Sequence, residues 1–487
     1  MKKFLFPATI PLLLGLALNF SACGDDSTSS NADNPADPGQ TDPGQTDPGQ
    51  TDPGQTDPGQ TDPGQTDPGQ TDPATPFVSP VALPSTANAA MPGNIYASWK
   101  SYHFVTMETE STYYVDIAAD FTKDVFTAEY VPAGRVVWSN QGSTGYKDHC
   151  SDDGTTEPSM KFRACTVSEG IGYGMLLAYF NDDSDTFIRL WNYSRGFRAY
   201  NKIRLTPWIT RSFSWEDVDL SSATDADLDI ATALILMYYK TKNQAFLDDA
   251  VSIASAIWDL EINPENLLIY SGDQNIWKLN NPVYNLSYFS PVALRLFAVV
   301  DPSHNWQGVL DAMYVYMDKV QTAGTGVFPD WSDGTGVAAN PPNNSAGRNE
   351  KTYTWHTFNK ESVRIPWRIA WDYYWYQDER ALKVLSKLNE FIVAKSGNDP
   401  SNIDALSTSY SWDPAKADKP GTGGVVSANW LGAWCATGMG TNAGWLDACT
   451  NLLNTTKESV NLPTSYFSDI LLGLYSSMLN GGFQRPY

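Results

Sequence analysis

Among the acids of this chain, Glu169 has the setting best suited to moving a proton. It lies in V-S-E-G-I-G-Y-G-M, Val167 to Met175, which opens the apolar run Met175 to Phe180, the pattern of a buried helix. Ser168 takes the place of an N-cap. Gly170, Gly172 and Gly174 follow within a turn and a half. Glycine costs about 1 kcal/mol in a helix interior, so three of them beside one acid predict that backbone and substrate approach closely there. A carboxyl at a helix mouth above apolar neighbours suits a proton donor of raised pKa. The plainer alternative is a carboxylate that complements the positive helix end.

Three further stretches carry polar residues that a helical core does not need. In Ala223 to Ala231, A-T-D-A-D-L-D-I-A, Asp225 and Asp229 share a helical face and Asp227 does not. The helix dipole accounts for at least one of these acids. With no lysine or arginine among them, one is expected to face a ligand. The segment Asp273 to Tyr288 holds Trp277 and N-L-S-Y-F, aromatic faces in an irregular setting that suit sugar rings or a core. The fourth stretch runs from F-P-D-W (Phe328 to Trp331) through a Gly/Asn/Pro-rich loop to K-E-S-V-R-I-P-W-R. There Glu361 precedes a helix, and Arg364 and Arg368 stand one turn apart.

The elements that must position these residues begin well inside the chain. Residues 1–22 have the form of a signal peptide: Lys2 and Lys3, an apolar stretch interrupted by Pro7 and Pro11, and F-S-A-C, which resembles the bacterial lipoprotein cleavage box and would leave Cys23 as a lipidated N-terminus. No other run approaches the roughly 18 apolar residues that span a bilayer. Residues 23–75 are read as a disordered acidic linker. Within it D-P-G-Q-T repeats seven times from Asp37 to Thr71, with nothing apolar to bury. The net charge is −23; without the eleven aspartates of this linker and the two leading lysines, −14 remains. Such a balance disfavours nucleic acid and polyanionic substrates and allows a neutral or cationic polymer. Four histidines and no Cys/His ligand spacing give no expectation of a metal or other cofactor. For an exported chain, sequence order favours the disulfides Cys150–Cys165 and Cys435–Cys449 among three possible pairings.

Residues 76–487 form one expected domain. Helical periodicity marks 227–242, 244–260, 287–300, 306–320, 362–376, 379–394, 428–438, 443–453 and 465–479, and strand-like alternation is local, as at 134–138. Helix pairs joined by short turns suggest a solenoid or a closed double ring. The segments are too dissimilar for a repeat array, which favours the all-α closed toroid.

Taken together, the four stretches resemble glycoside hydrolase family 8, the bacterial family of endoglucanases, chitosanases and some xylanases. The motifs around Glu169 and Asp225 resemble the general-acid motif and the signature helix of that family. Trp99-Lys100, N-x-S-Y-F, F-P-D-W and W-R-x-A-x-D-Y (Trp367 to Tyr373) follow in the family's order. The resemblance covers roughly residues 91 to 485. It implies an (α/α)6 barrel with an open cleft and inversion at the anomeric carbon. Glu169 would be the general acid, Asp225 would hold and distort the central sugar, Trp208, Trp277 and Tyr288 would be stacking platforms, and Arg364 would contact substrate.

The general base departs from the family pattern. Many members carry D-A-T-R-x-x-W-R where this chain has E-S-V-R-I-P-W-R, which puts Glu361 in the place of the base. Asp330, Asp333 and Glu350 are the alternatives in the preceding loop. The expected reaction is inverting, endo-acting hydrolysis of a β-1,4-glucan, cellulose or mixed-linkage, by a monomer that is exported and either surface-anchored, secreted or periplasmic. Chitosan is the second substrate and xylan the third. A non-catalytic sugar-binding surface protein is the alternative of another class. A lyase would want a basic cleft, and a prenyl-type enzyme Asp-rich metal motifs.

Overall fold

The computed structural model describes residues 77–108, 133–138, 165–210, 217–342, 355–402, 409–416, 427–456 and 465–487, all within one compact unit, 69–487. The leader, Cys23, the repeat linker, Cys150 and Glu350 lie outside the described residues.

Twelve helices are described: α1 (Met91–His103), α2 (Ser168–Phe180), α3 (Ser184–Asn201), α4 (Thr224–Thr241), α5 (Gln244–Glu261), α6 (Pro291–Val300), α7 (Trp306–Ala323), α8 (Ile365–Tyr376), α9 (Glu379–Ser396), α10 (Ala428–Ala436), α11 (Ala443–Thr455) and α12 (Tyr466–Leu479). The even-numbered helices form an inner ring. Each packs on the next even-numbered helix, and α12 closes the circle against α2. The odd-numbered helices lie outside, α3 on α2, α5 on α4, α7 on α6, α9 on α8 and α11 on α10, while α1 covers α12. The first helix in sequence thus completes the last pair. This is an (α/α)6 barrel, as the helix pairs predicted.

Burial explains the two sequence styles. In α4 every residue from Thr224 to Met237 is buried, so no amphipathic stripe is needed. In α9 only Ala381, Val384, Leu385, Leu388, Asn389, Ile392 and Ser396 are buried, the stripe of a helix that covers a core on one side.

The two ends of the barrel differ. Inner helices pass to outer ones through short turns, such as Lys242-Asn243 and Gln377-Asp378, closed by left-handed residues at φ 57° and 52°. Outer helices return to inner ones through long segments that carry the strands. There β1 (Phe104–Thr106) pairs with β2 (Gly134–Val136), and β3 (Thr166–Val167), β4 (Pro207–Thr210) and β5 (Asp217–Ser222) form an antiparallel sheet. Two smaller pairs join β6 (Val283–Tyr284) to β7 (Ser332–Asp333) and β8 (Thr357–Phe358) to β9 (Tyr410–Ser411). Rings fill the interior from the mouth toward the short-turn end: Trp367, Trp371 and Trp375 repeat every fourth residue of α8, and Phe483 stacks on Phe180 at 4.1 Å.

Several local expectations are corrected. The segments 287–300 and 362–376 are not single helices. Each begins as a 3-10 turn (Leu286–Tyr288, Ser362–Arg364), and the α-helix starts beside Pro291 or Pro366, because proline suits a first helical turn and disfavours helix before it. Ser168 is not the cap of α2. Val167 is, in extended backbone, and the Ser168 hydroxyl has no hydrogen-bond partner among the described residues. The glycines of α2 admit protein rather than substrate. A Cβ at Gly172 would stand 2.9 Å from Cβ of Asp229 and 3.1 Å from the Ala226 carbonyl oxygen, and one at Gly170 would stand 3.0 Å from the Tyr466 hydroxyl. They set the spacing between α2 and its ring neighbours. Cys435 and Cys449 are bonded, tying α10 to α11. Cys165 is also in a disulfide.

Candidate active site

The ends of the inner helices that carry the long segments are their N-termini. Glu169 is the second residue of α2, Asp225 the second of α4, and Tyr466 the first of α12. Tyr288 ends the turn before α6, and Glu361 and Arg364 bracket the turn before α8. Positive helix ends therefore converge on one mouth, which favours negative charge there.

Arg364 is the hub. One terminal nitrogen donates to Glu169 Oε2 and, at 2.8 Å, to Asp225 Oδ2; the other donates to Glu361 Oε2. Its guanidinium also lies 5.2 Å from the Tyr288 ring centre. Three carboxylates share one cation. The Glu169 and Glu361 side chains are 16 % and 22 % exposed, Asp225 2 % and Arg364 3 %, so two acids keep some exposure to solvent and the other two groups are buried. Because Glu169 and Glu361 grip the two terminal nitrogens of one guanidinium through short hydrogen bonds, their nearest oxygens are separated by at most about 7 Å. An inverting pair with a water between needs about 6.5–9.5 Å.

Burial raises the Glu169 pKa; the Arg364 charge and a 2.8 Å hydrogen bond from the Tyr466 hydroxyl pull it down, and the Glu361 charge pushes it up again. Asp225 rises to about 7, through burial first, with Arg364 lowering it and Glu169 raising it. Its Oδ1 is buried and has no hydrogen-bond partner among the described residues. Both shifts favour the protonated form, the form that a general acid requires.

The structure departs from the reading of the signature helix in one respect. Asp225 and Asp229 do share a face, and Asp227 turns away to accept from the Thr206 backbone N–H at 2.9 Å. The missing positive charges come from α8 and its leading turn, not from α4. Arg368 forks onto both oxygens of Asp229 at 2.7 and 2.8 Å, and Arg364 takes Asp225. Arg364, expected to contact sugar, has its terminal nitrogens occupied by carboxylates and serves to hold them.

Around this cluster, Trp277 is half-buried and stacks on Trp331 of F-P-D-W at 5.5 Å and 5°, with Trp355 edge-on to Trp331. Trp208 sits half-buried on β4, next to the strand that leads into Glu169. Of the alternative bases, Asp330 is fully buried and offers no exposed oxygen to a water. Asp333 accepts from the N–H groups of Thr335 and Val337 and closes the turn after β7. Asn285 was missed as a functional residue although N-x-S-Y-F was in view: it donates to Glu361 Oε2 at 2.7 Å. Tyr466 carried no sequence signal beyond its place at a helix start. Among the described residues, no group of three or more His, Cys, Asp or Glu is arranged to hold a metal, and no helix is long and apolar enough to cross a membrane.

Comparison with known proteins agrees with this geometry. The model of glycosyl hydrolases family 8 matches residues 133–416. The chain is 28 % identical over 326 residues to the Beta-glucanase of Niallia circulans, covering 61 % of this chain and 77 % of that one. It is 26 % identical over 357 residues to Endoglucanase 2 of Ruminiclostridium josui, covering 72 % and 69 %. The apo structure of a Beta-1,3-1,4-glucanase from Paenibacillus sp. X4 superposes with a TM-score of 0.62 at 22 % identity, over 84 % of this chain and 97 % of that one. With more than half of its length matched by the family model and a ring of six helix pairs around a carboxylate cluster, the chain belongs to glycosyl hydrolases family 8 and is a glycoside hydrolase.

Proposed function

We propose that the enzyme is an inverting, endo-acting hydrolase of β-1,4-linked glucan, cellulose or the mixed-linkage polymer. Glu169 gives its proton to the glycosidic oxygen as the bond to the anomeric carbon breaks. Glu361 takes a proton from a water that attacks that carbon from the opposite face. Asp225, beneath them, offers its unpartnered Oδ1 to the sugar in the central subsite, and Trp277, Trp208 and Tyr288 supply flat faces for neighbouring rings. The observation that carries the reading is the single guanidinium of Arg364 holding Glu169 and Glu361 at the mouth of the inner ring. The relatives named Beta-glucanase and Endoglucanase 2 support a glucan.

Chitosan is the second reading, favoured by one feature: three carboxylates against one cation at the mouth suit a cationic sugar. Xylan ranks third. By sequence, the protein is exported, either anchored at the surface through a lipid on Cys23 with residues 23–75 as the tether, or secreted or periplasmic, and works as a monomer without a cofactor.

The test is reducing-end release from carboxymethylcellulose, mixed-linkage glucan, xylan and chitosan, with the anomer of the first product followed by NMR. Glucan cleavage to an inverted product that is lost in Glu169→Gln supports the proposal. Turnover of chitosan alone moves the substrate; binding without turnover of any polymer sinks the mechanism.

A further inference from the structure

Asp330 is among the most enclosed acids of the molecule, yet one of its oxygens is crowded with donors. Oδ1 accepts from the backbone N–H groups of Asn359, Glu361 and Ser362 at 3.0, 3.2 and 3.0 Å and from the Ser362 hydroxyl at 2.9 Å. The Ser362 hydroxyl in turn accepts from the Asn359 N–H at 2.7 Å. These donors all belong to the turn that presents Glu361 and starts the 3-10 segment ending at Arg364. The Asp330 backbone N–H is bound to the Thr357 carbonyl at 2.9 Å, and the next residue, Trp331, is the ring on which Trp277 stacks. F-P-D-W thus meets the stacking platform on one side and the carboxylate turn on the other.

We propose that Asp330 is a positioning residue: its buried carboxyl locks the backbone of the Glu361 turn and ties that turn to the tryptophan platform, so that a sugar seated on the rings is in register with Glu361. The inference rests on Glu361 being the base. The Asp330 carboxyl is well suited to this part. Burial above all, and then the Glu361 charge, push its pKa up to about 8, while the hydrogen bonds from Ser362 and Asn359 pull against that rise. A neutral amide supplies the same acceptor, so charge is not what the turn requires of this side chain.

The experiment compares Asp330→Ala, Asp330→Asn, Ser362→Ala and Glu361→Gln on the full chain, with kcat and KM on a soluble glucan and melting temperatures measured together. A displacement of about 1 Å at a reacting group costs on the order of 100-fold. Asp330→Ala is therefore expected to lose about 100-fold in kcat with KM within about threefold, because the rings still bind sugar. Asp330→Asn should recover kcat to within about threefold of the wild type, and Ser362→Ala should fall between the two. Asp330→Ala at wild-type kcat, a loss confined to KM, or Asp330→Asn as damaged as Asp330→Ala would each overturn the inference. Should Asp330→Ala not fold, Ser362→Ala decides, and wild-type kcat in that variant overturns it. Glu361→Gln with wild-type kcat overturns the base assignment and this inference with it. Glu361→Gln inactive beside an unimpaired Asp330→Ala overturns the inference alone.

Discussion

Two arginines one turn apart are used in opposite ways. Arg368 meets a single acid, Asp229, with both forks, and both side chains are sealed in the barrel. Arg364, at the mouth, is divided among Glu169, Asp225 and Glu361. The lower pair is matched in charge and geometry, so it holds α4 to α8 and has nothing left to exchange. The upper group has three acids for one cation, and burial together with that crowding raises the pKa of Glu169 and of Asp225. One turn of helix separates a fixed joint from a reactive one, and the difference is one of stoichiometry, not residue type.

The comparison can be broken most sharply at Glu169. With Glu169 as the proposed proton donor, Glu169→Gln should reduce kcat by about 10³-fold or more while leaving the melting temperature nearly unchanged, since it removes one acid from a group already rich in them. A large loss of stability instead would make Glu169 a structural residue like Asp229. The converse test is Arg368→Met, which strands a buried carboxylate and should destabilise the protein by about 3–5 kcal/mol in denaturant titration. If Arg364→Met proves equally costly to stability, the two layers are not different in kind.

The pH response sharpens the same contrast. Asp225 and Asp227 have folded-state pKa values near 7 and 8, raised chiefly by burial. Both lie above the unfolded value of about 3.9. The folded state holds these protons more tightly, so the stabilisation they bring is fully present below about pH 4 and is lost as pH rises through about 7 to 8. The melting temperature should fall across that window, and Asp227→Asn, which keeps the acceptor for Thr206, should flatten the slope. A slope unchanged in the variant would remove Asp227 from the account. The smallest effect is expected from Tyr466→Phe. The phenol donates to Glu169 and favours its charged form, so the variant should lose about tenfold in kcat or less, with the alkaline limb of kcat/KM moved to higher pH. A limb moved downward would mean that the hydrogen bond supports the acid form instead.

Much of this was legible in the chain. The spacing of Asp225, Asp227 and Asp229 correctly assigned their faces, because helical periodicity is a local property. The motif around Glu169 was correctly placed at a helix mouth. The glycines beside it were misread: Gly172 is small because Asp229 and Ala226 of another helix press on it, and local sequence carries no record of which neighbour will arrive. The same limit hid Asn285 and Tyr466, ordinary residues until the ring closes them onto Glu361 and Glu169. Asp330 looked like a possible base by type and loop position, and only its enclosure by the turn of residues 359–362 removed it from the water's path.

From sequence alone came the all-α character, the helix pairs and the identity of the acids at the helix starts. Each of these follows from periodicity, propensity and motif, which act over a few residues. What only the tertiary structure decided is which charge meets which. Arg364 reaches Glu169 across 195 residues and Asp225 across 139, and no short-range rule assigns such partners. That assignment depends on the closure of six helix pairs into a ring, which brings distant N-termini to one mouth. There burial and the surplus of carboxylates raise the pKa of Glu169 and Asp225, as a low dielectric and like charges do.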